Sequence, residues 1–267
     1  MKTYYSVLRL RLKIGLQYRT AAWAGIATQF FFGIIQIMVF EAFYQHSAHT
    51  PPISLKELIT YLWLQQAFLA FIMLWFRDNE LFNLITSGNI AYELCRPAGI
   101  YGYWFARLLS QRLSSAFLRC FPILLIAFCI PEPHRMTLPP SWTSFVLFLS
   151  ALVLGLLVLV AISMFIYISV FVTMSPAGST LIFAVVGEFF SGIIIPIPLM
   201  PEWLQKVTGW LPFHLTADFP FRVYSGHIPP PEAAMGVLAQ IIWLVLLVGT
   251  GMFALKKVLR RVVVQGG

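Results

Sequence analysis

Long apolar runs separated by short polar interruptions dominate the chain, and the longest are long enough to cross a membrane. Six runs stand out, at about 21–44, 55–76, 105–130, 144–172, 176–195 and 233–255. Between Arg135 and Glu188 there is no Lys, Arg, Asp or Glu. A span needs roughly 20 apolar residues, so that interval has room for two helices. They are joined by the uncharged turn "TMSPAGS", where Pro176 suits a first helical turn. The pattern predicts an all-α membrane protein of six transmembrane helices, forming one transmembrane domain over 1–267.

Two stretches fit no simple span. Residues 1–20 place Tyr5, Leu8, Leu12 and Leu16 at helical spacing, with Lys2, Arg9 and Lys13 near one another. That arrangement suits a helix lying in the membrane interface. The other stretch is "IPIPLMPEWLQKVTGWLPFHLTADFPFRVYSG", residues 195–226. Its prolines remove backbone donors and break regular ladders, yet it is too apolar for a solvated loop. Irregular backbone at membrane depth survives only when protein covers it or it lines a wet cavity. The reading is a re-entrant outer segment over 196–226, between spans 5 and 6. It consists of "PEWLQKVTGWL", broken at Pro212, followed by "HLTADFPFRVYSG".

Composition agrees with lipid as the main solvent: 59% of the 267 residues are hydrophobic and 10% charged. Soluble domains are usually about 25% charged. The net charge of +8 is clustered. Lys2, Arg9, Arg11, Lys13 and Arg19 precede span 1, and Lys256, Lys257, Arg260 and Arg261 follow span 6. Such flanks follow the positive-inside bias and disfavour nucleic-acid binding. Both ends are expected on the cytoplasmic side, which requires an even number of spans. With Arg77, Arg96 and Arg107 in the 2–3 connection, the inner side carries about twelve of the 18 basic residues. No cleavable signal is read at the N-terminus. Cys95, Cys120 and Cys129 form no CxxC pair, so neither a disulfide framework nor a zinc site is indicated.

The chain has no Gly-Lys dipeptide, and therefore no phosphate loop for ATP hydrolysis; it also lacks HExxH, GxSxG and GxGxxG. Any ATP hydrolysis that drives it belongs to another chain. Ionisable residues inside the runs are Glu41, Arg112, Arg119 and Glu188. Charges at membrane depth face the bundle interior or a cavity and pair with one another. At 1.5 Å per residue, Glu188 lies roughly 18 Å along its span and Arg119 near mid-depth of the third. The two are candidate partners and candidate elements of a translocation path; a structural pair or a snorkelling chain is the alternative. Arg112 is expected to snorkel, and Glu41 to reach the headgroups. His214 and Asp218 suit a capping or interfacial role better than a metal site, because no third ligand accompanies them. Trp142, Trp203 and Trp210 fit an outer aromatic belt.

Two blocks carry a family resemblance. The first, "LITSGNIAYELCRPAGIYGYWFARLL" at 84–109, has a Gly, an apolar helical turn and then Leu94-x-Arg96-Pro97. The second, at 191–226, carries Pro196, Leu199, Pro201, Trp203, Leu204, Pro212, Arg222 and Gly226 in order. Together with the order of spans, these resemble the permease subunits of type-2 ABC exporters, the ABC-2 family transporter proteins. The resemblance implies a multi-pass protein of the bacterial inner membrane, working as a dimer of permeases that are identical or related chains. Separate ABC ATPase subunits would carry ATP and Mg, with no cofactor on this chain. The substrate would be amphiphilic or lipid-like, or a drug. It implies a coupling region at 77–98, with an inner helix over 79–94 as the ATPase dock. Its residues are Asp78, Glu80, Leu81, Leu84, Ile85, Ile90, Glu93, Leu94 and Arg96. The translocation path or outer gate takes Arg119, Glu188, Pro196, Pro201, Trp203, Leu204, Trp210, Pro212 and His214.

Two other classes compete. A secondary transporter usually shows matching halves with interrupted helices, and no halves match. A membrane-embedded lipid-modifying enzyme would use His214, Asp218 and Glu188 as acid–base groups, but no substrate-activating constellation accompanies them. The expectation is a permease that is not itself an enzyme, with membrane lipid as a partner and no nucleic acid.

Overall fold

A computed structural model of the chain describes residues 6, 9–10, 19–46, 51–95 and 99–260. The described residues form eleven helices and no strand: α1 (Arg19–Gln45), α2 (Leu55–Ala67), α3 (Leu69–Ile72), α4 (Asn79–Thr86), α5 (Ala91–Leu94), α6 (Ile100–Cys129), α7 (Trp142–Thr173), α8 (Pro176–Phe190), α9 (Glu202–Gly209), α10 (Asp218–Ser225) and α11 (Pro230–Leu259). Short 3-10 turns lie at Ile197–Leu199 and His214–Thr216. Among the described residues, four helices are long and apolar enough to cross a membrane: α1 from Trp23 onward, α6, α7 and α11. The interfacial helix expected over 1–20 lies largely outside the described residues, as does Arg96.

Local chemistry sets where several of these helices begin. The Ser54 hydroxyl accepts from the Glu57 amide while the Glu57 carboxylate accepts from the Ser54 amide, a reciprocal cap that starts α2. Ser141 caps α7 through the Ser144 amide at 3.1 Å. Ser175 caps α8, and Pro176 stands in its first turn as the sequence predicts. α7 is the central post. It has no charged residue, and α8, α10 and α11 all pack on it.

The second and fifth apolar runs are not continuous helices, contrary to expectation. α2 spans 13 residues, breaks at Phe68, resumes for the four residues of α3 and turns extended at Met73. The Arg112 guanidinium takes the carbonyls there, donating to Phe71 O at 3.3 Å and Met73 O at 2.7 Å. A cation over the free carbonyls of a helix end stabilises the stop. α8 has 15 residues and ends ahead of Gly192, whose φ of +83° leaves the right-handed helical region. Prolines 196, 198 and 201 keep the chain irregular beyond it.

The packing divides into two apolar clusters. One surrounds Tyr61, Trp63, Phe148, Phe219 and Phe221, at the end of the bundle where the 195–228 segment lies. The other surrounds Leu81, Trp104, Leu159 and Tyr167 at the opposite end. Lys256 and Lys257 in the last turn of α11, with its C-cap Arg260, mark that opposite end, the basic end.

Candidate functional site

The segment between α8 and α11 is built inward, against the bundle. Leu215 and Thr216 lie on α7 at Gly155, where an added Cβ would stand 2.9 Å from the Leu215 carbonyl oxygen. At 1.5 Å per residue, Gly155 is about 20 Å along α7 from Trp142. A non-helical backbone so far from the helix end needs side-chain partners, and they are present. Gln240 of α11 is fully buried, and its amide donates to Ala151 O and Leu215 O, each at 2.8 Å. From α2, Gln65 donates to Ile193 O at 2.7 Å and the Tyr61 hydroxyl to Gly192 O at 3.0 Å.

Asp218 is the hub of this arrangement and has no exposed surface. Its Oδ1 accepts from the Ile197 amide and the Tyr61 hydroxyl, both at 3.3 Å. Its Oδ2 accepts from Arg222 at 3.2 Å, and its own amide donates to Ser191 O at 3.2 Å. One carboxylate thus ties α10 to α2 and to the turn at Ile197. A Cβ on Gly192 would come 2.9 Å from the Tyr61 hydroxyl, so glycine is needed there for both its φ and its bareness. His214 sits one turn before Asp218, with Nδ1 2.8 Å from Leu211 O. Burial pushes its pKa below the usual histidine value, with Asp218 acting in the other direction.

The expected gate residues divide by exposure. Pro196 and Pro212 are buried, Leu204 and His214 are half-buried, and Pro201 is exposed. Trp203 and Trp210 are 66% and 83% exposed. Trp210 follows the last residue of α9, so the two tryptophans do not share one helix. Beneath α9, a cavity of about 850 Å³ opens between Phe40, Phe43 and Tyr44 of α1 and the stretch from Pro198 to Gln205.

At the basic end the expected single helix over 79–94 is two helices, α4 and α5, separated by a turn containing Gly88. Asp78 caps α4, accepting from the Glu80 and Leu81 amides at 3.1 and 3.3 Å. Arg107 of α6 grips the same carboxylate with two hydrogen bonds, at 2.5 and 2.8 Å, and also reaches Glu80. The Tyr167 hydroxyl accepts from the Asp78 amide at 2.7 Å, and its ring stacks on Phe82. Glu93 accepts from the Trp104 indole at 3.4 Å. Of the expected dock residues, Asp78, Leu81, Ile85, Ile90 and Glu93 are buried inside the chain, whereas Glu80 and Leu94 are exposed and Leu84 half-exposed.

Ionisable residues in the long runs also settle differently from expectation. Arg119 lies on α1, where a Cβ on Gly25 would be 2.8 Å from its guanidinium carbon. Glu188 has the Trp75 indole beside it, while its Oε1 is buried without a partner. No ion pair joins the two; α6 packs on α1, α2, α3 and α7, whereas α8 packs on α7. Arg112 does not snorkel. It is 2% exposed and bonds the α3 carbonyls and Ser163 Oγ, the latter at 3.0 Å. Glu41 pairs with His134 at 3.0 Å.

Sequence reasoning missed Tyr61, Gln65 and Gln240 altogether. The signal was available, since uncharged polar side chains inside apolar runs hydrogen-bond to neighbouring segments.

The model of one family, described as ABC-2 family transporter protein, matches residues 30–266. The chain belongs to the ABC-2 family transporter proteins. It is a multi-pass membrane permease of the ABC transporter class, and residues 30–266 include every interaction described above except Arg119 at Gly25. A comparison with curated proteins found no match. As an ABC-2 permease, the chain presents an apolar surface around the bundle: Phe31, Phe32, Ile35 and Phe43 on α1, Ile182 and Val185 on α8, and Val245 and Phe253 on α11 are all exposed. Lipid or apolar protein is the fitting surround for such faces.

Proposed function

We propose that this ABC-2 permease is the membrane subunit of an ATP-driven exporter. In this reading it crosses the bacterial inner membrane six times, with both termini cytoplasmic. α2–α3 and α8 would complete the crossings begun by the four long helices, their short lengths offset by burial and by the chain that follows them. The substrate is amphiphilic or lipid-like, or a drug, in keeping with the apolar walls of the cavity under α9. The observation that carries the reading is the family match over residues 30–266, taken with a sequence that has no Gly-Lys phosphate loop. Energy must then come from separate ATPase subunits carrying ATP and Mg, and a second permease, the same or a related chain, completes the path.

In this scheme the ATPase docks at the exposed face of α4 and α5, on Glu80, Leu84 and Leu94. The buried residues Asp78, Leu81, Ile85, Ile90 and Glu93 hold that face in place. The 196–226 segment is the re-entrant outer gate, with Pro201, Trp203, Leu204 and Trp210 on its outward side. Its inner side, with Pro196, Pro212 and His214, is fixed by Asp218. Arg119 and Glu188 flank the path separately.

Purification of the tagged chain from its own membranes is the test. A nucleotide-binding protein should co-purify, and transport by the reconstituted complex should stop without ATP. Transport by the chain alone, driven by an ion gradient, would make it a secondary transporter; turnover of a lipid without ATP would make it an enzyme.

A further inference from the structure

The basic end holds a second feature, which shares only Leu94 with the proposed ATPase dock. Two adjoining cavities of about 480 and 390 Å³ lie between the start of α6 and the last turns of α11, sharing Gly99, Tyr101 and Met252. Together they form a groove. Its mouth is flanked by Lys256 in the last turn of α11 and by Arg260, the C-cap four residues on. Its far end is apolar, closed by Phe105 and Val248. From Arg260 to Val248 the groove runs about 18 Å at 1.5 Å per residue, close to the depth of one leaflet of a hydrocarbon core of about 30 Å.

Two further observations describe what the mouth would accept, and a third describes the floor of the groove. Among the described residues no acidic side chain lines either cavity, and neither Lys256 nor Arg260 has an ion-pair partner. α6, 30 residues long, starts at this mouth with Gly99 as its N-cap and no side-chain cap. The first amides of a helix are free donors at the positive end of its dipole, and a Cβ built on Gly99 meets nothing within 4 Å. Finally, Tyr101 is only 7% exposed, yet its hydroxyl has no hydrogen-bond partner. Its ring lies across α11 at Gly251 as the floor of the groove, where an added Cβ would be 2.9 Å from the hydroxyl.

We propose that the α6–α11 groove is a binding site for an anionic phospholipid. The phosphate sits between Lys256, Arg260 and the first amides of α6, and one acyl chain runs inward over Tyr101 to Phe105 and Val248. Helix N-termini bind phosphate through exposed amides, and basic pockets between membrane helices bind acidic headgroups. The remaining ingredient is the apolar channel, which separates a lipid from a soluble phosphate.

The test uses the full-length chain in mild detergent, with phosphatidylglycerol, phosphatidylcholine and glycerol 3-phosphate added in turn. Thermal stability and retained mass by native mass spectrometry are the readouts. Phosphatidylglycerol should raise the melting midpoint and remain bound, while phosphatidylcholine and glycerol 3-phosphate do neither. Lys256→Gln with Arg260→Gln should weaken half-saturation by roughly tenfold or more. Lys257→Gln, a neighbouring cation outside the groove, should leave it unchanged. Gly102→Leu, which fills the chain end without touching the charges, should also weaken lipid binding. An equal response to phosphatidylcholine, an equal loss with Lys257→Gln, or a glycerol 3-phosphate effect matching that of the lipid would overturn the site.

Discussion

Arg107 and Asp78 form a buried bidentate pair, with the guanidinium 2.5 and 2.8 Å from the two carboxylate oxygens. Asp78 also caps α4, so one side chain fixes both the direction of that helix and its attachment to α6. Removing one partner of a buried pair costs on the order of 3–5 kcal/mol, whereas replacing both with apolar groups costs much less. Arg107→Gln should therefore lower the unfolding midpoint strongly, and Arg107→Leu with Asp78→Leu should recover part of the loss. Equal stability of wild type and Arg107→Gln in a denaturant titration would show that the pair contributes nothing.

Glu80 offers the opposite case. Its side chain is 65% exposed although it touches Arg107, so its contribution to stability should be small, within about 1 kcal/mol. Glu80→Lys and Leu94→Asp should leave the melting curve nearly unchanged and yet reduce ATPase association. Leu81→Asp, at a site with no exposure, should instead unfold the region. Normal ATPase association in both surface variants would move the dock elsewhere.

Asp218 and Tyr61 should differ in how much their loss costs. Asp218→Ala strands the Ile197 amide and Arg222 at once, while the Tyr61 hydroxyl keeps Gly192 O, a loss on the order of 3 kcal/mol or more. Tyr61→Phe removes one neutral hydrogen-bond donor, a loss of about 1–2 kcal/mol. The double variant should fall short of the sum, since the two share a bond. Single cysteines at 197 and 215 should label rapidly only in Asp218→Ala if the carboxylate holds the segment inward. Slow labelling in that variant would mean that Gln65 and Gln240 suffice without it.

His214 gives the segment a pH dependence of known sign. Its native pKa is lowered, mainly by burial, with Arg222 acting in the same direction and Asp218 against it. The unfolded chain then binds a proton first as pH falls below about 6.5, so stability drops through that range and levels off below the lowered native pKa. His214→Gln should remove this component while leaving the part due to Asp218. Identical pH profiles of the melting midpoint for the two proteins would assign the titration elsewhere.

The sequence by itself settled what is periodic or compositional. An apolar interval without charge from 136 to 187 leaves few alternatives to helices in lipid, and the Ser–Pro pair at 175–176 marks the start of α8 locally. The blocks at 84–109 and 191–226 carry the family resemblance in local sequence alone. Tertiary structure decided what depends on distant partners. Nothing near Phe68 or Met73 in the sequence announces a break. The stop arises because Arg112, some forty residues later, supplies donors to carbonyls that a longer helix would have used. Likewise Glu188 and Arg119 are opposite in charge and similar in approximate depth, yet depth along an axis does not say which helices are neighbours. Asp78, Leu81 and Glu93 read as a mixed-charge surface because burial of a charge is paid for by partners far away, Arg107 and Trp104, that no local pattern shows. Hydrophobic periodicity therefore fixed the elements of this permease, and long-range satisfaction of polar groups fixed where they end and which side chains remain free to act.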